Sequence, residues 1–124
     1  MSQVFLTLGS SLAAIAVAGG AFASHALKGQ LSDRSLEIFE TATKYQMYHA
    51  LGIILVALWL SSLPTANPWM VTAGWAFFAG ILLFSGSLYA LSVTGIKILG
   101  AITPLGGVAF LIGWGCLAVS AWMK

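Results

Sequence analysis

The sequence predicts an all-α membrane protein: one domain, residues 1–124, built as a four-transmembrane-helix bundle with a short interfacial helix between helices 1 and 2. Three observations predict it. Of the 124 residues, 60% are hydrophobic and 6% charged, against about 25% charged in a typical soluble domain. Charge is missing from three long runs, Met1 to Leu27, Tyr45 to Ile96, and Ile98 to Met123. The middle run would be roughly 80 Å long as one helix, against a hydrocarbon core of about 30 Å, so it turns once.

The first span runs from Val4 to Ala26. Its "AFA" before Ser24 mimics a signal-peptide cleavage site, but no basic segment precedes the apolar run, and a retained span is expected. At about 100° per residue, Thr7, Ser11, Ala14, Ala18, Ala21 and His25 share one side. Small residues spaced alternately by four and three make a seam on which another helix packs closely. Ala14, Ala18 and Ala21 are therefore expected packing positions, together with Gly52 and, in the last span, Gly106 and Gly107.

"KGQLSDRSLEIFETATK", Lys28 to Lys44, is the one extended polar segment. Ser32 or Asp33 can cap a helix there, and Glu40 stands four residues before Lys44 in the favourable order. Leu36 and Phe39 supply a modest apolar face, so a short interfacial helix leads into the second span. That span covers Tyr45 to Leu60. Tyr45, Tyr48, His49 and Gly52 fall on one side of it, and Leu51, Ile54, Leu55 and Leu58 fall on the side expected to face lipid.

"SSLPTANP", Ser61 to Pro68, carries two prolines and small polar residues, which mark the turn. The third span runs from Trp69 to Val93, with Gly74, Phe78, Ser85, Tyr89 and Ser92 directed toward protein. The fourth ends at Met123 and begins at Leu99, kinked by Pro104, or at Thr103 with that residue as N-cap and Pro104 in the first position. The second start gives a helix of roughly 32 Å, long enough to cross, and is preferred.

Five basic and three acidic residues, net +2, are too few for a nucleic-acid surface and act as topology signals. Lys28, Arg34, Lys44 and Lys97 lie in the first and third loops, and Lys124 with the amino terminus lies opposite. The positive-inside rule places both basic loops in the cytoplasm and both termini outside the inner membrane, with Trp59, Trp69 and Trp122 as anchors on the outer side. Alternating topology then brings His25, Tyr45, Tyr48, His49, Ser85, Tyr89 and Thr103 to one depth near the cytoplasmic face. Polar groups in a membrane turn inward and find partners, because an unsatisfied one costs several kcal/mol in hydrocarbon.

Three chemistries remain open for that cluster: a structural hydrogen-bond network, a ligand or proton pathway, and metal or haem ligation by the two histidines. Enzyme motifs are missing. The chain has no G-x-x-x-x-G-K, no H-E-x-x-H and no paired cysteines, and "FSGSLY" lacks the second glycine of a nucleophile elbow. Cys116, alone in an apolar run, reads as a small hydrophobe.

The stretches "GAFASHALKGQL", "TATKYQMYHALG", "FSGSLYAL", "TPLGG" and "GW" occur in order along nearly the whole chain. Together they resemble the small membrane proteins of the YgdD and YwdK kind, which have animal relatives among catalogued transmembrane proteins. The family's first motif reads G-A-F-G-A-H-A-L, so this chain departs from it at Ala23 and Ser24 and keeps the histidine. The resemblance implies a polytopic membrane protein with no established activity and supplies no catalytic residue.

The expectation is thus a non-catalytic integral membrane protein with no cofactor and no metal. Its partners are the lipid bilayer, a small ligand or protein partner at the polar cluster, and a second copy of the chain; nucleic acid is not among them. The alternatives are a minimal proton-coupled transporter and, behind it, a haem-binding electron carrier. The three acids all lie in a loop, which weighs against cation antiport.

Overall fold

The computed structural model of the protein describes residues 1–123; Lys124, counted in the charge asymmetry, lies outside them. Five α-helices follow one another: α1 Ser2–Phe22, α2 Asp33–Ser61, α3 Pro68–Gly80, α4 Gly86–Thr94 and α5 Thr103–Trp122. Two wide π turns extend this framework, Ala23–Leu27 after α1 and Ile81–Ser85 joining α3 to α4, and a 3₁₀ turn at Lys97–Ala101 leads into α5. Three stretches are long and apolar enough to cross a membrane: Ser2–Leu27, Pro68–Thr94 and Lys97–Trp122.

Local chemistry fixes the helix ends. The Ser32 hydroxyl accepts the Ser35 amide at 3.1 Å and opens α2. The Asn67 side chain accepts the Trp69 amide at 2.9 Å, and Pro68, whose missing N–H costs nothing in a first turn, starts α3. Gly95, at φ +70°, closes α4 by returning its amide to the Leu91 carbonyl. Thr103 is the first residue of α5 and not its cap, because its hydroxyl is engaged elsewhere; Ile102 occupies the N-cap position without a side-chain bond.

The segment expected to form a separate interfacial helix is instead the first part of α2, which runs unbroken for 29 residues, about 43 Å. All three acidic residues lie in its first turns. Arg34 and Glu37 pair there at 3.5 Å, both exposed, whereas the expected Glu40–Lys44 pair is not among the ion pairs of the described residues. Such a surface contact contributes little to stability.

α1 packs mainly on α2, and α3 on α5, while α2 also touches α3 and α4. The core lies where α2, α3 and α5 meet, around Ile53, Val56, Met70, Phe77, Phe110 and Leu117, and includes the free Cys116. The seam on α1 is corrected by this packing. Ala14, Ala18 and Ala21 are exposed, as are Thr7, Ser11 and His25. The buried positions are Phe5, Gly9, Ala16 and Ala23, two residues out of register and so about 200° around the helix. Phe5 drives the choice: its ring lies edge-on to Trp75 and occupies the space left by Gly74.

Candidate functional site

α2 is the hub of the polar contacts between helices, because its inward face carries groups that reach three neighbours. Ser85, fully buried in the π turn, donates to the Ala42 carbonyl at 2.8 Å. One turn further along α2, the buried Gln46 links two helices at once. Its Nε2 donates to the Leu12 carbonyl of α1, and its Oε1 accepts the Tyr89 hydroxyl of α4, both at 2.8 Å. A carbonyl only accepts, so the amide orientation follows from its partners. Ser87 and Thr103 join α4 to α5 at 2.7 Å.

His49 sits one further turn along α2, 5% exposed. Its Nδ1 lies 2.7 Å from the Tyr45 carbonyl, and its Nε2 accepts the Trp114 indole N–H of α5 at 3.2 Å. The two partners settle the proton: the carbonyl needs a donor and the indole needs an acceptor, so the ring is neutral and carries its hydrogen on Nδ1. Phe110 lies face to face with the imidazole, ring centres 3.4 Å apart and planes within 6°.

The imidazole forms part of the floor of a cleft of about 440 Å³ on the side of the bundle. Tyr45, Tyr48 and His49 of α2, Phe84 of the π turn, and Gly107, Phe110, Leu111 and Trp114 of α5 line it. The π turn admits one more residue than an α turn and so re-aims the chain below it. It places Phe84 against Tyr45, with ring centres 4.7 Å apart, while Ser85 points to α2. Gly106 lets α5 approach this turn, since a Cβ there would overlap the Phe84 backbone. Gly107 does not pack as expected: a Cβ there meets nothing within 4 Å and would project into open space. Gly52 is a packing position, with the Phe77 ring 3.1 Å from where its Cβ would be.

The expected cluster therefore divides. Ser85, Tyr89 and Thr103 enter hydrogen bonds between helices, and His49 enters its own with Trp114. Tyr45 and Tyr48 are 39% and 54% exposed and form the rim of the cleft. His25 is exposed in the π turn after α1 and is not among the residues that line the cleft or bond to His49. His49 Nε2, the nitrogen facing α5, is already engaged by Trp114. No group of three or more His, Cys, Asp or Glu able to hold a metal occurs among the described residues.

Besides Ser87, Phe84, Phe110 and Leu111, two residues central to these contacts were not among the expected site residues. Gln46 was hidden by its place at the start of a span, although Phe39, Ala42, Gln46, His49, Ile53, Val56 and Leu60 follow at three and four, a continuous buried stripe. Trp114 had no such signal, since tryptophan is ordinarily an interfacial anchor.

Comparison with known proteins locates this arrangement. A family model described as "Protein of unknown function (DUF423)" matches residues 19–107, from the α1–α2 contact to the glycine that opens the cleft. The UPF0382 membrane protein YwdK of Bacillus subtilis (strain 168) is 53% identical over 119 residues, 96% of this chain and 96% of its own length. A UPF0382 membrane protein of Staphylococcus epidermidis is 49% identical over 118 residues, 95% of this chain and 94% of its own. One of Staphylococcus aureus (strain bovine RF122 / ET3-1) reaches 47% with the same coverage. No solved structure matches the chain. With three helices apolar enough to span a bilayer and relatives along almost its whole length that are named membrane proteins, the chain belongs to the DUF423 family of membrane proteins of unknown function.

Proposed function

We propose that the protein is a non-catalytic integral membrane protein that crosses the bilayer four times and binds a small ligand in the cleft beside His49. The observation that carries this reading is the combination of a buried, doubly hydrogen-bonded imidazole in the floor with a lateral opening toward the surroundings of the bundle. Ligand sites are mostly apolar, with a few placed polar groups, and occupy roughly 300–1,000 Å³. A group packed only for stability would have its cleft filled, and here Gly107 leaves it open.

The fourth crossing is α2, whose apolar second half begins at Tyr45 and whose charged turns project beyond the hydrocarbon. Lys28, Arg34, Lys44 and Lys97 then lie on the cytoplasmic side and both termini on the other. Labelling of single cysteines placed at Gly29 and Thr65 from either side of sealed vesicles tests this. Opposite accessibility supports it, and equal accessibility refutes it.

Binding is tested by purifying the protein in mild detergent beside the Gly107→Leu variant, which adds bulk to the cleft lining from a position where a Cβ meets nothing within 4 Å. Mass spectrometry should find a molecule that accompanies the natural chain and not the filled one. Identical small-molecule profiles from two folded proteins would refute the reading. No acidic side chain lines the cleft, which gives a proton-coupled cation transporter no support there.

A further inference from the structure

We propose that the cleft takes a membrane-soluble compound with a planar, oxygen-bearing ring for a head and a hydrocarbon tail, the chemistry of a quinone. This rests on the cleft beside His49 being the binding site.

Shape supplies the first argument. The walls are flat: Tyr45, Tyr48, Phe84 and Trp114 surround a floor formed by the stacked His49 and Phe110. A ring entering among rings gains offset or edge contacts beyond the area it buries. Space for it exists in front of Gly107, and Leu111, one turn further along α5 and 73% exposed, continues the apolar path away from the head.

Hydrogen bonding supplies the second. The polar bonds at the floor engage both nitrogens of His49 and the indole N–H of Trp114 but neither tyrosine hydroxyl. Tyr45 and Tyr48 line the rim of this apolar opening, and their hydroxyls, which have no hydrogen-bond partner among the described residues, are the donors left for a guest. A ring oxygen is the complementary acceptor.

Charge decides against the other guest that an aromatic box suits, an organic cation. No acidic residue lines the cleft. Along the stripe of α2 that ends at Tyr48, the nearest charge is Lys44, with Glu40 a further turn away. A cation would enter a low-dielectric site with no counter-ion in its lining, whereas a neutral oxygen acceptor faces no such penalty.

The test uses the full chain in lipid nanodiscs and titration calorimetry with three probes: a short-chain naphthoquinone, tetraphenylphosphonium and oleate. Two variants accompany it. Gly107→Leu fills the cleft, and Tyr45→Phe/Tyr48→Phe keeps the rings and removes the hydroxyls, with circular dichroism as the check on folding. The naphthoquinone should bind saturably, with Kd raised about tenfold or more in each variant, two hydrogen bonds being worth roughly that factor. Absent naphthoquinone binding, or binding indifferent to either folded variant, overturns the proposal. If the phosphonium or oleate binds instead and Gly107→Leu abolishes it, the cleft stands as a site and the ligand class is wrong. If no probe responds to Gly107→Leu, both readings fall. Should Gly107→Leu fail to fold, the tyrosine pair alone decides the ligand class, and the smaller Gly107→Val decides the cleft.

Discussion

Replacing Gln46 with leucine removes one side chain and two contacts between helices. The Nε2 bond to Leu12 is lost from the α1 side and the Oε1 bond to Tyr89 from the α4 side, each 2.8 Å long. Hydrogen bonds between helices in a bilayer average about 0.6 kcal/mol and reach about 1.7. Their joint loss should cost about 1–3 kcal/mol. The Leu12 carbonyl lies within the helical ladder of α1 and suffers least, whereas the Tyr89 hydroxyl is left without its acceptor. Tyr89→Phe removes only the second bond, so the double variant should be less destabilised than the sum of the singles by about 0.6–1.7 kcal/mol. Reversible unfolding in mixed micelles titrated with dodecyl sulfate measures all four corners of the cycle. Effects that add to within about 0.3 kcal/mol would mean that the two side chains do not interact, and the three-helix link through Gln46 would be wrong.

Adjacent glycines should behave in opposite ways. Gly106→Ala drives a methyl into the Phe84 backbone and should lower stability by about 1–3 kcal/mol, whereas Gly107→Ala meets nothing and should be neutral or slightly stabilising in the same unfolding assay. In ¹⁵N spectra of labelled imidazole, His49 should show a protonated Nδ1 and an unprotonated, accepting Nε2, and Trp114→Phe should shift the Nε2 resonance while leaving Nδ1 bonded to Tyr45. Ser32→Ala should cost about 1 kcal/mol at the start of α2, read as faster amide exchange at Ser35 than in Ser32→Asp, which keeps an acceptor.

Much of the architecture was legible because a membrane leaves few choices. Charge-free runs and the two prolines of the 61–68 turn gave the ends of the first and third apolar stretches and the preferred start of the last helix within a few residues, whereas α2 begins at Asp33, well before the expected Tyr45. Facing was harder. α1 bears small residues on both sides, so neither size nor polarity separates the seam through Ala14 and Ala18 from the packed one through Gly9 and Ala16. Only the bulk of Phe5 against Gly74 breaks the tie. The cluster at one depth was legible as depth, yet depth says nothing of direction. His49 and Tyr48 are neighbours in sequence, about 100° apart on the helix, and that angle makes one a floor and the other a rim. The π turn that aims Phe84 and Ser85 carries no pattern in local composition, because it depends on how α5 seats against it at Gly106.

The pairing of helices has a bearing on how the molecule comes into being. α1 leans on α2, the very next helix to leave the ribosome, so it need not wait for a distant partner. α3 finds its main partner in α5, and α2 serves as the wall against which that later pair closes. Biogenesis can then proceed as two successive pairings, with Gln46 of the second helix already met by the Leu12 carbonyl of the first, while His49 gains its partner only when Trp114 of α5 arrives.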